Sequence, residues 1–340
     1  MSVKYKLVLL FMAFLLILSC KKEESLQQPF KEFNWGANVN SRILCAGAPL
    51  ITKDTQAIVF LNCDVEGENY TLAPYEAKDE LTVFSYNIEE GHSGNEIIQL
   101  LQSETELKVP DIILLSEVNK GRKENMNGEN FARVLADSLN MYYVFGVEFF
   151  DVDANCEMGN AILSKYPMGN VTYKRYSDPE LYYLYTESGY NYRQGGRSFI
   201  AADIKIGQKF ARVYSTHLAA SFFDNELRYK ETQEVIEDAK QNSYGRPTII
   251  GGDFNSYIYS AYLTENFAEM GIGQYFMDGG YTDTHLGVPY ADRYTNFDYV
   301  DWIIDLIFIK NATSSSPSVG KSPAWEGLSD HYPIWTTVKI

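Results

Sequence analysis

The sequence predicts a sheet-rich α/β fold, and three observations carry that prediction. Short apolar runs that read as strands alternate with segments of helical period. No repeat of fixed period is visible, and the polar residues that interrupt the apolar runs fall at strand ends, the edge where open α/β sheets usually bind ligands. The chain has 340 residues, 45% of them hydrophobic, enough for one large core or for two small domains.

Residues 1–20 carry Lys4 and Lys6 before an apolar run from Leu7 to Leu18 that ends at Cys20. A positive start, a short apolar run and a small residue before the end make a secretory signal, and the run is short for a membrane span. The small residue directly before Cys20 resembles the lipobox of bacterial lipoproteins. That implies cleavage before Cys20, its acylation, and an exported protein anchored through lipid to the bacterial envelope at the outer membrane. Residues 21–32 form a polar tether, and the Lys21, Lys22, Glu23, Glu24 tract resembles a surface-export signal of one group of Gram-negative bacteria, although a plain linker accounts for it equally. Residues 33–79 form an N-terminal extension with a strand at Ala57 to Asn62, and Cys45 and Cys63 within it could pair in an oxidising compartment. Residues 80–340 are the expected catalytic domain.

Within that domain the strands expected are Leu81 to Ile88, Asp111 to Val118, Tyr142 to Val147, Asn160 to Ser164, Ser198 to Ile206, Phe210 to His217, Thr248 to Gly252, Ile303 to Ile309 and Tyr332 to Ile340. Helices fit Asn95 to Leu107, the segment from Phe131 to Leu139, and Asn225 to Gln241. Between Lys174 and Gly196 lies a loop with Tyr176, Tyr182, Tyr183, Tyr185, Tyr190 and Tyr192, in a chain of 26 tyrosines. Such a loop suits stacking on a sugar or base, or a lipid headgroup interface, or a hairpin packed by its own aromatics.

Removal of the signal takes Lys4 and Lys6 with it and moves the formal net charge from −16 to −18. A chain that acidic lacks the basic stripe by which proteins neutralise a run of phosphates, so stable binding of long DNA is not favoured. The four cysteines show no metal-ligand spacing, which disfavours a thiolate zinc site.

The polar interruptions are Asn87, Glu117, His217, Asp253 and Asn255, Asp305, and Asp330 with His331. Each has a bland reading taken singly: Asn87, Asp253 and Asp330 are common turn and cap residues. Asp305 is harder to dismiss, because it interrupts Ile303, Ile304, Leu306, Ile307 and Phe308, and a buried carboxylate must find a partner.

In this order, with Gly-Asp-Phe-Asn followed about 75 residues later by Ser-Asp-His-Tyr-Pro-Ile, they resemble the endonuclease/exonuclease/phosphatase superfamily from about Leu81 to Ile340. The resemblance implies a four-layer α/β sandwich, two mixed β-sheets face to face flanked by helices, and Mg²⁺-dependent hydrolysis of a phosphoester, with Mn²⁺ as substitute. It makes Glu117 the principal metal ligand with Asn87 and Asp330 beside it, and His217, Asp253, Asn255, Asp305 and His331 the catalytic set. Asp253 and Asn255 would orient the attacking water, and Asp305 would hold His331. Asn160, in Gly-Asn-Ala-Ile-Leu-Ser, and Arg197, in Gly-Gly-Arg-Ser-Phe, match substrate-lining positions. Hard oxygen ligands suit Mg²⁺ independently of any resemblance. His92 and His285 have no match.

The function expected is hydrolysis of a small or lipid-linked phosphoester by a monomer at the cell envelope. The alternatives are an extracellular nuclease and, outside enzymes, a surface binding lipoprotein that retains an inactive site.

Overall fold

The apolar runs fold into two sheets whose inner faces meet. The computed structural model describes residues 30–31, 65–68, 75–103, 107–124, 126–151, 154, 156–177, 183–186, 189–220, 225–258, 272–296 and 302–340. Lys31–Ile340 forms one unit. The expectations for the signal, Cys20, the tether apart from residues 30–31, the strand at 57–62, and Cys45 and Cys63 lie outside the described residues. Among the described residues no helix is long and apolar enough to cross a membrane.

The first sheet contains β1 (Val65–Glu68), β2 (Glu80–Asn87), β3 (Ile112–Lys120), β4 (Tyr142–Asp151), β5 (Cys156–Ser164), β7 (Tyr183–Thr186), β8 (Gly189–Gly195), β14 (Thr313–Val319) and β15 (Ile334–Lys339). Its order is β14-β15-β2-β3-β5-β4-β8-β7, with β1 also paired to β4. The second contains β6 (Met168–Arg175), β9 (Ser198–Ile206), β10 (Lys209–His217), β11 (Thr248–Ile258), β12 (Thr282–Asp283) and β13 (Ile303–Lys310), in the order β12-β13-β11-β10-β9-β6. Each is mixed: β2 and β3 run parallel, as do β10 and β11, among antiparallel neighbours.

Leu81, Val83, Ile112, Leu114 and Ile162 of the first sheet meet Ile200, Ile204, Val213, Ile249 and Ile307 of the second in the central core. The approach is close at Gly251, where a Cβ would lie 2.6 Å from Leu114 Cδ1. On the outer face of the first sheet sit helices α1 (Gly94–Ser103) and α2 (Phe131–Leu139), whose Ile97, Leu101, Phe131 and Leu135 bury against Phe84, Ile113 and Phe145. Asn130 caps α2 by accepting from Ala132 N at 2.9 Å. Val235 and Ala239 of α3 (Asn225–Asn242) and Phe276 of α4 (Gly273–Asp278) cover the outer face of the second sheet. The result is the four-layer α/β sandwich that the sequence predicts.

Besides β1 and the two strands of the tyrosine-rich loop, β6, β12 and β14 have no counterpart among the expected strands, and each of these three ends a sheet. An edge strand need bury only part of its surface and tolerates polar residues and proline, as in Thr-Ser-Ser-Ser-Pro-Ser-Val of β14, so no apolar run marks it. The 33–79 extension contributes β1 to the first sheet, with Val65 buried, so this part of it belongs to the domain's core. Within the tyrosine-rich loop β7 and β8 pair as a hairpin, Tyr183 opposite Tyr192 and Tyr185 opposite Tyr190, and β8 continues onto β4 through Arg193 to Gly195.

Candidate active site

Strand register alone sets three of the polar residues in one row. His217 at the end of β10 pairs with Asp253 of β11, and Asp253 pairs with Asp305 of β13. In the facing sheet Asn87 ends β2 beside Ser116 of β3. The expected strand at Thr248 to Gly252 continues through Asp253 to Ile258, so Asp253 does not open a helix. Its Oδ1 accepts from Asn255 N at 2.8 Å instead.

Bulges aim the side chains at this end. The β3–β5 register slips between Leu115 and Val118, and Glu117 there adopts φ +56°, a conformation that costs about 1–3 kcal/mol and persists where the surroundings enforce it. A second slip, between Val147 and Phe149, places Glu148. Asn255, at φ +47°, lies where the β11–β13 pairing slips. Gly252 holds φ +147°, and a Cβ there would stand 1.8 Å from Thr216 O. Only glycine lets β11 approach β10 so closely.

Asp253 is the hub. Its Oδ2 accepts from Asn87 Nδ2 at 3.0 Å, lies 3.3 Å from His217 Nε2 and 3.7 Å from His331 Nε2. Burial pushes its carboxyl up, but His217, His331 and the Asn255 amide outweigh burial and hold it well below the usual carboxylate range. His331 Nδ1 is 2.7 Å from Asp305 Oδ2. Burial pushes that imidazole down, yet Asp305, Asp253 and Asp330 raise it well above its ordinary value, so His331 is cationic at neutral pH. The Ser-Asp-His loop is stitched to the end of β2: Ser329 Oγ donates to Asn87 O at 2.8 Å, and Asp330 N donates to Glu89 Oε2 at 3.0 Å.

Asn87 Nδ2 also donates to Glu117 Oε1 at 3.3 Å, while its Oδ1 accepts from Glu89 N. Asn87 therefore bridges Glu117 to Asp253 through its nitrogen. Burial pushes Asp330 up to about 6; His331 opposes this, and Glu117, Glu89 and Asp253 add to it. A carboxyl raised by neighbouring carboxylates in this way fits a hard divalent cation, and oxygen donors are what such a cation takes. Asp253, Asp305 and His331 also place ligand atoms within 4.8 Å of one another. These three are engaged with each other, His331 Nδ1 with Asp305 and Nε2 toward Asp253.

The expected substrate-lining pair sits behind His217. Arg197 is 3% exposed, with Nη1 2.7 Å from His217 Nδ1 and 3.4 Å from Glu148 Oε2, and its guanidinium lies over the Phe149 ring at 5.1 Å. Asn160 is fully buried and donates to Glu148 Oε1 at 2.9 Å and Ser198 O at 3.0 Å. Asn255 Nδ2 donates to Leu218 O at 3.0 Å, which ties the residue after His217 to β11.

Glu148 is the member of this group that the sequence reading passed over. Its signal was present, since it interrupts the apolar residues of β4 just as Asp305 interrupts β13. Of the two histidines without a role, His92 is exposed, and His285 is buried with Nδ1 2.8 Å from Thr284 Oγ1 and Nε2 3.1 Å from Ser318 O. His285 is structural.

A model of the endonuclease/exonuclease/phosphatase family matches residues 84–331, a span that contains every one of these site residues. No curated protein matches the chain. Among solved structures, a family protein from Leptotrichia buccalis C-1013-b is similar at 20% identity and a TM-score of 0.56, over 76% of this chain and 99% of that one. The human Nocturnin catalytic domain with bound sulfate anion is similar at 16% identity and a TM-score of 0.56, over 78% and 96%. D. rerio TDP2 complexed with single strand DNA product gives 16%, 0.53, 77% and 100%. At these identities the likeness is one of fold.

Proposed function

Because the chain belongs to the endonuclease/exonuclease/phosphatase family, we propose that it is a divalent-metal-dependent phosphoesterase, acting on a small or lipid-linked phosphodiester or phosphomonoester at the bacterial envelope. The observation that carries this reading is the convergence on Asp253 Oδ2 of Asn87, His217 and His331, with Asn87 leading on to Glu117. A binding module gains nothing from burying so many polar groups at one point, each of which costs desolvation unless paired.

Glu117 and Asp330 would hold Mg²⁺ or Mn²⁺, which when bound neutralises phosphate charge, with Asn87 orienting Glu117 through its amide nitrogen as the side chains stand. The chain's own groups do the rest. Asp253, ionised throughout the neutral range, accepts the hydrogen bond of the attacking water and orients it. His331, cationic and fixed by Asp305, turns Nε2–H toward the phosphate oxygens, where charge grows in the transition state. Asn255 N keeps Asp253 aimed. The acidic chain and the predicted lipid anchor support a small or lipid-linked substrate over polymeric DNA, and a monomer is sufficient for this site.

The test is a panel of sphingomyelin, inositol phosphates, aryl phosphodiesters and monoesters, and single- and double-stranded DNA. Single-stranded DNA belongs in it because TDP2 is seen with that product. Metal-dependent turnover of a small or lipid-linked ester is expected. Preferred cleavage of DNA would replace this reading with the nuclease one, and no turnover of any phosphoester would leave a binding lipoprotein.

A further inference from the structure

We propose that Arg197 sets the tautomer of His217, so that His217 is a neutral hydrogen-bond donor and takes no part in proton transfer. A guanidinium carries only N–H donors and stays protonated in proteins. With Arg197 Nη1 2.7 Å from His217 Nδ1, that nitrogen must accept. A proton on Nδ1 would point at a guanidinium N–H. The ring therefore carries its proton on Nε2, 3.3 Å from Asp253 Oδ2, and donates it to that carboxylate.

Glu148 completes the arrangement without reversing it. Its Oε2 is 3.4 Å from Arg197 Nη1 but 3.7 Å from His217 Nδ1, beyond hydrogen-bond reach, so the near partner of Nδ1 is the guanidinium at 2.7 Å. Ser198 N at 3.0 Å and Asn160 Nδ2 at 2.9 Å hold the other oxygen, Oε1. Arg197, His217 and Glu148 are all at least 97% buried.

His331 shows the opposite assignment. Its Nδ1 faces the Asp305 carboxylate at 2.7 Å and must donate. Two imidazoles thus converge on one oxygen of Asp253 with opposite protonation at Nδ1. Were His217 to release its Nε2 proton, an imidazolate would remain, so its contribution is the donated hydrogen bond; proton handling falls to His331 and Asp253. Arg197 is a positioning residue that acts through His217. The tautomer follows from geometry alone, and only its catalytic meaning rests on the phosphoesterase reading.

The chain has four histidines, which makes direct observation practicable. Full-length protein in detergent, labelled with ¹⁵N-histidine, is observed by long-range ¹H–¹⁵N correlation at pH 7.5, with signals assigned by His→Gln variants. The expected pattern for His217 is the neutral Nε2–H form. Arg197→Met should switch it to Nδ1–H, now donating to Glu148, while Arg197→Lys, which keeps a cationic donor, should retain Nε2–H. A wild-type pattern of Nδ1–H or imidazolium overturns the proposal, as does an Nε2–H pattern that survives Arg197→Met. Should Arg197→Met fail to fold, the wild-type and Arg197→Lys spectra decide. An Nε2–H His217 in a protein without phosphoesterase activity would sink the functional reading and leave the tautomer standing.

Discussion

Asp305→Asn removes one charge beside a buried imidazole at nearly constant volume. Asp305 Oδ2 lies 2.7 Å from His331 Nδ1 and is the largest influence raising that imidazole against burial. In the variant Asp253 and Asp330, 3.7 and 3.8 Å from Nε2, remain as longer-range partners, and burial now works with less opposition. His331 should therefore drop from well above its ordinary 6.5 toward that value. The form that donates to phosphate is the protonated one, so activity is lost as pH rises through the lowered pKa. Once the assay pH exceeds the lowered pKa, kcat/KM falls roughly tenfold for each further pH unit, a loss that the wild type shows only at higher pH. The assay is hydrolysis of an aryl phosphodiester at saturating Mg²⁺ from pH 6 to 8.5, plotted as the ratio of variant to wild type so that shared titrations cancel. A ratio that stays flat across this range would refute the claim that Asp305 keeps His331 charged.

Chelation should abolish turnover and added Mg²⁺ or Mn²⁺ should restore it; because Asp330 is pushed up to about 6, the half-saturating metal concentration should climb as pH falls through that value, and full activity after exhaustive chelation would exclude a metal role. Burial lowers the pKa of His285, so the unfolded chain binds that proton more readily than the folded one. Its contribution to stability is then complete above about 6.5 and is lost as pH falls below it, and His285→Gln should flatten that part of the stability–pH curve measured by denaturant titration. Gly252→Ala forces a Cβ to within 1.8 Å of Thr216 O at φ +147°, and should destabilise by about 3 kcal/mol or more in thermal or urea unfolding; a loss under ~1 kcal/mol would mean β10 and β11 can separate there.

Much of the site is legible because its residues break local patterns. Asp305 in Ile-Ile-Asp-Leu-Ile, Glu117 in Leu-Leu-Ser-Glu-Val and the Gly-Asp-Phe-Asn stretch are polar groups in segments otherwise built for burial. Glu148 breaks the pattern of β4 in the same way, yet nothing nearby in sequence hints at its partners, since Arg197 and Ser198 lie about 50 residues on. Arg197 is expected at a substrate-lining position; in the fold its Nη1 faces His217 Nδ1 and the buried carboxylate of Glu148.

The sequence by itself determined the strands that cross the core, three of the helices that cover the two sheets, and the polar interruptions that the fold gathers at one end. These follow from apolar periodicity, a property of neighbours along the chain. Tertiary structure decided which strands lie at sheet edges, where β3, β4 and β11 slip register, and how Arg197 and Asn160 are used. Those depend on pairing between distant segments: Asn87 and Asp253, which share a hydrogen bond at 3.0 Å, are 166 residues apart. A carboxylate's partners, and so its protonation, are set by what folding brings to within 3 or 4 Å of it, and residue order does not encode that locally.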